Sequence, residues 1–274
     1  MISFVGAGPG APDLITVRGA ARLAAAAVVI RAGSLVPEAV LEHCRPGAEI
    51  HDSATMTLED VLAVYAAHDE ATPIVRLHSG DPSIYGAIAE QMDWCRAEGR
   101  SFEVVPGVSS VGAAAAALGR ELTVPGVSQS VVLTRLAGRT AASMPAGPAG
   151  EGVAAFAPHG ATLAVFLSAA RPDELAAELL TPGSGYGPDT PAAVVVRASW
   201  PDETVVRTTV GRLAEDLRAT GATMTALVLV GDVLAEEPVR RRSHLYEPAY
   251  TTAYRLRSAA GSTEGRPSAR RSDR

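Results

Sequence analysis

The sequence predicts an α/β fold built from two α/β domains with mainly parallel sheets. Short apolar runs alternate along the chain with segments whose apolar residues recur at helical spacing, which is typical of strands joined by crossover helices. The alternation pauses near residues 124–127 and then resumes. We therefore expect an N-terminal domain at residues 1–122 and a C-terminal domain at residues 128–252.

The first domain begins with a predicted buried strand at residues 2–5, a short and largely apolar run that ends at Gly6. Thr16 precedes an Ala-rich segment with helical spacing and is a suitable N-cap for the next helix. Along residues 58–67, apolar side chains fall on one helical face. The same two patterns predict further strands at residues 28–30, 73–77 and 102–105, and further helices at residues 13–27, 83–96 and 109–118.

The second domain repeats the alternation after residue 130. Residues 145–152 are rich in Gly, Pro and Ala and are predicted to form a surface loop. Residues 255–274 contain six Arg against two acidic residues, so we expect a disordered basic tail. The predicted strands of this domain are residues 131–133, 161–167, 192–197, 205–209 and 225–230, and the predicted helices are residues 172–180 and 213–219.

The composition excludes several classes of enzyme, because all 24 basic residues are Arg and the chain contains neither Lys nor Asn. A Schiff-base enzyme and a P-loop NTPase each need a lysine, and the catalytic loop of a protein kinase needs an asparagine. The Arg-rich tail could be an RNA-binding arm, but the acidic body of the chain outside the tail argues against a nucleic-acid partner. The N-terminus lacks a signal-peptide pattern and no apolar stretch is long enough to span a bilayer, so we expect a cytoplasmic protein without a membrane partner.

Neither the cysteines nor the histidines predict a metal site. Cys44 and Cys95 form no C-x-x-C pair, and the six histidines include no H-x-x-x-H pair. Ser109 lies in a G-x-S-x-x-G string, which departs from the G-x-S-x-G nucleophile elbow of hydrolases. We expect Ser109 to cap the following helix instead. No catalytic nucleophile stands out, and the catalytic residues stay unknown at this stage.

A glycine-rich loop at residues 6–11 follows the first strand and fits the G-x-G-x-x-[GA] pattern of dinucleotide-binding proteins. That pattern also requires a helix that starts inside the motif and an acidic residue at the end of the second strand. Pro9 and Pro12 make the loop stiff, and the second strand ends at Arg31. Because Arg31 could bind the 2'-phosphate of NADP, an NADP-dependent oxidoreductase stays open at this point.

Two further turns, at residues 79–82 and 106–110, also follow predicted strands and precede predicted helices. Ligands of α/β sheets bind outside the carboxyl ends of the strands. Gly80 and Gly107 would let the backbone approach such a ligand closely. Three turns of this kind at strand ends predict a cofactor cleft. His78, just before the second turn, could face this cleft or be a packed core histidine.

Five strings of the sequence resemble the tetrapyrrole methylases, and most of all the precorrin-4 C(11)-methyltransferase branch of that family, which acts in cobalamin biosynthesis. The resemblance covers about residues 1–250. The first loop and the GDP turn resemble the whole superfamily, whereas GDPSIYGAI, ELTVPGVSQ and RASWPDE resemble the narrower branch. The five strings are VGAGPGAPDLIT (5–16), HSGDPSIYGAIAEQ (78–91), VVPGVSSVGAAAAALGRELTVPGVSQSVVLTR (104–135), YGPDTPAAVVVRASWPDE (186–203) and TALVLVG (225–231).

This resemblance implies two α/β domains with the cofactor cleft between them, a homodimer, and S-adenosylmethionine bound in a folded pose, with no metal. Many relatives carry Tyr at the position of Arg31, so the resemblance assigns that residue no role. The implied cofactor-binding residues are Pro9, Ser79, Gly80, Asp81, Ile84, Ser109, Ser110, Leu167, Ala198, Thr225 and Ala226.

The implied reaction is methylation of C-11 of precorrin-4, which gives precorrin-5. The cobalt-loaded substrate, or another ring carbon, is the alternative within the family; an NADP-dependent oxidoreductase and a non-catalytic tetrapyrrole carrier are the alternatives outside it. The substrate bears many carboxylates, which Arg can bind through two parallel hydrogen bonds. The candidates by position are Arg18, Arg76, Arg120 and Arg135.

Overall fold

The computed structural model describes residues 1–137, 144–145, 150–236 and 243–257. The strands are β1 (Ile2–Gly6), β2 (Val28–Arg31), β3 (Glu49–Asp52), β4 (Ile74–His78), β5 (Phe102–Val105), β6 (Val131–Arg135), β7 (Thr162–Phe166), β8 (Pro191–Val196), β9 (Thr204–Thr209) and β10 (Ala226–Val230). The helices are α1 (Val17–Ala25), α2 (Leu58–Ala66), α3 (Ala89–Ala97), α4 (Ser110–Leu118), α5 (Val153–Phe156), α6 (Pro172–Leu179) and α7 (Leu213–Ala219). The predicted α/β class is confirmed.

The first sheet has the strand order β3-β2-β4-β1-β5, and each of its neighbouring pairs is parallel. β1 lies between β4 and β5 and is buried along its whole length. Apolar side chains cover both faces of this sheet, which is typical of parallel sheets with helices on each side. The carboxyl ends of β1, β4 and β5 therefore meet at one edge of the sheet.

The second sheet has the order β6-β7-β10-β8-β9, and in it the pair β6–β7 is parallel whereas the other three pairs are antiparallel. Residues 197–203 join β8 to β9 without a helix, and so short a connection permits only antiparallel pairing. Over both sheets of the described chain, five of the eight pairs are parallel, as predicted, but the antiparallel pairs are all in the second sheet.

Helix α4 connects the two sheets. It precedes the second sheet in sequence, yet its buried residues Ala113, Ala114 and Leu118 pack against Ala193 and Leu229 of that sheet. Its small side chains let the helix approach the strands closely. The predicted cap is confirmed at its start, where the Ser109 side chain accepts a hydrogen bond from the N–H of Val111.

Two predicted helices begin later than the sequence pattern suggested. α3 begins at Ala89 and not at residue 83, because Tyr85 and Ala87 have φ values of 56° and 49°, which an α-helix does not permit. α1 begins at Val17, after a short 3₁₀ turn at Pro12–Leu14, and the predicted N-cap Thr16 accepts a hydrogen bond from the N–H of Gly19. The short helix α5 was not predicted.

Parts of two predicted segments lie outside the described residues: positions 146–149 of the predicted surface loop, and positions 258–274 of the predicted tail. Arg255, where that tail was expected to begin, donates hydrogen bonds to the carbonyl oxygens of Leu245 and Glu247, both at 2.8 Å. None of the described helices has the length and apolar character needed to cross a membrane.

Candidate functional site

A cleft of about 350 Å³ lies between the two sheets. One side, which we call the first wall, is formed by the turns that follow β1, β4 and β5, at residues 6–11, 79–85 and 106–110. The other side, the second wall, is formed by residues 166–169, 195–200 and 223–227 of the second sheet and its loops. The first wall thus stands at the carboxyl edge of a parallel sheet, where ligands of α/β proteins bind.

Close backbone approaches hold the first wall together. Gly8 and Gly80 exchange two hydrogen bonds, with N–O distances of 3.3 and 2.8 Å. Gly107 packs against Gly80 so tightly that a Cβ atom on Gly107 would lie 2.1 Å from the Gly80 carbonyl oxygen. No residue with a side chain fits there, so the glycines of three separate turns form one surface.

Asp81 connects two of these turns. Its Oδ1 accepts hydrogen bonds from the N–H and the hydroxyl of Ser83, and its Oδ2 accepts one from the N–H of Gly107 at 2.9 Å. Partial burial raises the pKa of Asp81, but these hydrogen bonds outweigh it and hold the pKa below its ordinary value. The Asp81 carboxylate is therefore engaged in holding the wall.

The second wall has a strained backbone that no glycine relieves. Leu167, Arg197 and Thr225 have φ values of 51°, 51° and 52°, in the left-handed region. They lie at neighbouring strand ends, and the N–H of Arg197 donates to the carbonyl of Thr225 at 2.8 Å. Such residues cost about 1–3 kcal/mol each and are concentrated at ligand sites. Among the described residues, the buried hydroxyl of Ser168 beside them has no hydrogen-bond partner.

The two walls contact each other at two places. The indole Nε1–H of Trp200 donates to the carbonyl of Pro9 at 2.9 Å, and the hydroxyl of Ser199 accepts from the N–H of Ala11 at 3.0 Å. At the second place, the centroid of the Tyr85 ring lies 5.0 Å from the centroid of the Phe166 ring. These contacts fix the spacing of the walls.

All eleven residues predicted to bind the cofactor line this one cleft, although they come from six separate segments of the chain. Their contacts with a cofactor stay a prediction. The sequence reasoning missed several residues of the second wall. Trp200 was part of the RASWPDE string but was assigned no role, and nothing in the sequence indicated that Ser168 lines the cleft. The missed residues with polar or aromatic side chains are Tyr85, Phe166, Ser168, Arg197, Trp200 and Thr223.

The four arginines proposed by position do not line the cleft. The guanidinium of Arg76, for example, is largely buried behind the first wall, where its Nη1 donates to the carbonyl of Ile30 at 3.3 Å. His78 is also a core residue and not a cleft residue: burial, together with the charge of Arg76, lowers the pKa of its ring to about 3. It is therefore neutral near pH 7.

The dinucleotide interpretation of the first loop lacks both of its requirements. No helix starts inside the motif, since α1 begins only at Val17. Arg31, the residue proposed for a 2'-phosphate, donates its Nη1 to the carbonyl of Val36 at 3.0 Å and does not line the cleft. In the part of the chain that the structure describes, no group of three His, Cys, Asp or Glu side chains could hold a metal ion.

Comparisons with known proteins agree with one another. A model of the family described as Tetrapyrrole (Corrin/Porphyrin) Methylases matches residues 1–214. The precorrin-4 C(11)-methyltransferase of Rhodococcus erythropolis is 49% identical over 86% of this chain and 92% of its own. The solved structure of the cobalt precorrin-4 methyltransferase CbiF has a TM-score of 0.79 and 43% identity, over 85% of this chain and 95% of its own. A uroporphyrin-III C-methyltransferase of Thermus thermophilus, solved with S-adenosylhomocysteine, has a TM-score of 0.68 and 30% identity, over 85% and 98%.

Proposed function

The chain belongs to the tetrapyrrole methylase family, and from that membership we propose that it transfers the methyl group of S-adenosylmethionine to C-11 of precorrin-4, which gives precorrin-5 in cobalamin biosynthesis. The observation that carries the proposal is the 49% identity to a precorrin-4 C(11)-methyltransferase over most of both chains. A relative at 30% identity binds S-adenosylhomocysteine, the demethylated form of the same cofactor.

The cleft has the properties that such a cofactor requires. Its volume of about 350 Å³ falls within the range of roughly 300–1,000 Å³ found for small-molecule sites. Its lining is mostly apolar, with the hydroxyls of Ser79, Ser109 and Ser110 and backbone groups available for hydrogen bonds. We propose that the eleven cleft residues predicted from the sequence contact the cofactor, many of them through backbone atoms.

The residues of the chain then have to align two bound molecules. When bound, S-adenosylmethionine supplies a methyl group that is already activated on a sulfonium, so no nucleophilic side chain is needed. The two walls, held at a fixed spacing by Trp200 and Tyr85, orient the cofactor and exclude water from it. Alignment of this kind can supply roughly 7–11 kcal/mol of the barrier.

We also propose that the protein is a homodimer, as the family resemblance implies, and that it lies in the cytoplasm, as expected from its sequence patterns. Size-exclusion chromatography with light scattering should give a mass of twice the 28.2 kDa of the chain. A mass equal to that of a single chain would contradict the dimer. Cell fractionation of the native host should recover the protein in the cytoplasmic fraction.

Methyl transfer is tested with purified protein and S-adenosylmethionine labelled with carbon-13 in its methyl group. The protein is incubated with precorrin-4 and, separately, with cobalt-precorrin-4, and the product is mapped by carbon NMR. We expect label at C-11 of the cobalt-free macrocycle. Label at C-11 only with the cobalt-loaded substrate would move the assignment to that substrate, as named for the 43% identical CbiF. Label at another carbon, or no transfer, would contradict the proposal.

The position of the cofactor is tested with Gly80→Arg. A Cβ atom on Gly80 would meet no atom closer than 3.7 Å, so the variant should fold, while its long side chain would fill the cleft. We expect the affinity for S-adenosylhomocysteine to fall below detection in calorimetry. Gly99→Arg is the matched control, since Gly99 has nearly the same φ, 65° against 64°, and lies in open space away from the cleft. Equal affinities of the two variants would show that the cofactor binds elsewhere.

A further inference from the structure

Few charged side chains line the cleft, and they differ in whether the protein itself already engages them. Of the described residues that line it, only Asp81 and Arg197 have charged side chains. The carboxylate of Asp81 accepts hydrogen bonds from Ser83 and Gly107, as described above, so it is already engaged by the first wall. Arg197 is therefore the one basic side chain, within the described part of the lining, that is available to a ligand.

Arg197 is held in place before any ligand arrives. Its guanidinium lies over the ring of Trp200, 5.1 Å from the centroid, and Nη1 forms an ion pair with Asp202. A cation stacked on an indole is stabilised by the electrons of the ring. The left-handed backbone of Arg197 further restricts the direction in which the side chain leaves the chain. A guanidinium oriented in this way loses little conformational entropy when it binds an anion.

The ion pair with Asp202 leaves Arg197 capable of binding a second anion. The side chains are 44% and 59% exposed, and ion pairs exposed to this degree contribute little to stability. Asp202 contacts only one of the three nitrogens of the guanidinium in the hydrogen bonds of the described residues. The fork geometry of the group matches a carboxylate, which can accept two parallel hydrogen bonds.

We propose that the guanidinium of Arg197 binds a carboxylate of the ligand in this cleft. The proposal rests on the proposed function, because both molecules of that reaction carry this chemistry: the amino-acid portion of S-adenosylmethionine and the acidic side chains of the macrocycle. It also assigns carboxylate binding to a residue that lines the cleft, whereas the four arginines expected from the sequence to have this role do not line it.

The test measures Arg197→Gln, in which the charge is lost but the side chain remains long and unbranched, so that the left-handed backbone is no more strained than before. S-adenosylhomocysteine and 5'-methylthioadenosine, which lacks the amino-acid portion, are titrated into wild-type and variant protein. Arg171→Gln is the matched control, because Arg171 is also a partly exposed arginine in an ion pair, with Glu174 at 2.7 Å, and does not line the cleft.

Two results support the proposal and identify the source of the carboxylate. If the cofactor provides it, Arg197→Gln weakens S-adenosylhomocysteine binding by roughly 10- to 100-fold, as expected for the loss of a hydrogen bond between charged groups, and leaves 5'-methylthioadenosine binding unchanged. If the macrocycle provides it, both nucleosides bind as to wild type, and the KM for precorrin-4 rises by a similar factor while kcat is retained. Arg197→Lys should be intermediate in either case, since it keeps the charge without the fork.

Other results overturn it. If Arg197→Gln matches wild type in both affinities and in KM, or if it weakens both nucleosides equally, Arg197 has no carboxylate partner in the cleft. Failure of the wild-type protein itself to bind S-adenosylhomocysteine or to methylate precorrin-4 would instead contradict the proposed function, so the two failures are distinguishable.

Discussion

Both walls of the cleft contain left-handed backbone, but different types of residue occupy those positions in the two walls. In the first wall, most of the left-handed or closely packed positions are occupied by glycine, as at Gly80 with φ of 64° and at Gly107, and Tyr85 with φ of 56° is the exception. In the second wall, Leu167, Arg197 and Thr225 adopt left-handed φ values although each has a Cβ atom. The backbone of the first wall is thus largely relaxed and is sterically closed to a side chain at Gly107, whereas the backbone of the second wall is strained and already carries side chains at its left-handed positions.

The difference suggests a division of roles between the walls. Glycine at Gly80 and Gly107 allows three turns to pack into one rigid surface, held further by the carboxylate of Asp81. The second wall instead places side chains in the cleft from positions where glycine would be easier for the backbone. Strain of this kind persists only where the surrounding structure enforces it, and it is concentrated at ligand sites.

The largest expected change in the free energy of unfolding comes from a substitution that disturbs the close packing of the first wall. In Gly107→Ala the new Cβ would lie 2.1 Å from a backbone oxygen, so the turns must separate, and the free energy of unfolding should fall by about 3 kcal/mol. Chemical denaturation measures the change. Gly112→Ala is the control, because Gly112 lies in α4 with no atom within 4 Å of a Cβ, and it should gain roughly 0.5–1 kcal/mol. Equal stabilities would show that the turns do not pack as described.

A second effect is expected from the carboxylate that joins the turns. Asp81→Asn should lower the free energy of unfolding at pH 7 by about 2 kcal/mol, since hydrogen bonds to a charged acceptor are weakened. The pKa of Asp81 is lowered in the folded protein, so its contribution is complete above the ordinary value of 3.8 and is lost as the pH falls through the folded-state pKa. The difference between wild type and variant should therefore be constant from about pH 5 to 8 and shrink below pH 3.8.

Asp93→Asn serves as the control for that experiment. Asp93 forms an exposed ion pair with Arg96 one helical turn away and does not touch the cleft. We expect a change of less than about 1 kcal/mol at pH 7, as for other exposed pairs. A gap between wild type and Asp81→Asn that widened on acidification would contradict the assignment of the Asp81 hydrogen bonds.

A third pair of variants places a Cβ atom at a left-handed glycine of the first wall and removes one from a left-handed residue of the second wall. The two variants should change the free energy of unfolding in opposite directions. Gly80→Ala meets no steric obstacle but forces a Cβ into the left-handed region, so it should lose about 1 kcal/mol of stability. Thr225→Gly removes a β-branched residue from the same region and should gain about 1 kcal/mol in the absence of ligand. Thermal and chemical denaturation measure both. Destabilisation by both variants would mean that the second wall is not strained.

The smallest expected change in the free energy of unfolding is for a substitution of Ser168. Its hydroxyl is buried without a partner in the described chain, so Ser168→Ala should leave stability unchanged or raise it by up to about 1 kcal/mol. Ser184→Ala is the matched control, because the Ser184 hydroxyl donates to the carbonyl of Leu179 at 2.6 Å and accepts from the N–H of Tyr186 at 3.0 Å. That variant should lose about 1 kcal/mol. Loss of stability in Ser168→Ala would reveal a partner for its hydroxyl.

The same contrast explains what could be predicted from the sequence. Glycine after a strand is a visible signal, so the three turns of the first wall and their meeting at one edge were predicted from residues alone. A left-handed Leu167 or Arg197 has no such signal, because its conformation is imposed by neighbours distant in sequence. The predicted helix start at residue 83 was wrong for the same reason, since Tyr85 and Ala87 are left-handed there.

The second wall was found only through the family resemblance, and then only in part. Leu167, Ala198, Thr225 and Ala226 were placed in the cleft because the strings around them resemble the tetrapyrrole methylases. Arg197 lies next to one of them and was missed, because nothing in the sequence around it indicates that strand pairing brings it to the cleft. The antiparallel pairing of β10 with β7 and β8 brings those residues to one edge.

The hydrogen bond from Trp200 to Pro9 spans 191 residues and has a consequence for how the protein is made. Synthesis proceeds from the N-terminus, and domains begin to fold as they emerge. The turns of the first wall are all present once residue 110 has left the ribosome, but the opposite wall is incomplete until residue 227. A nascent chain therefore carries half of a cleft while residues 111–227 are being synthesised. Cofactor binding, which stabilises only the folded form it recognises, then acts on finished chains and not on partial ones.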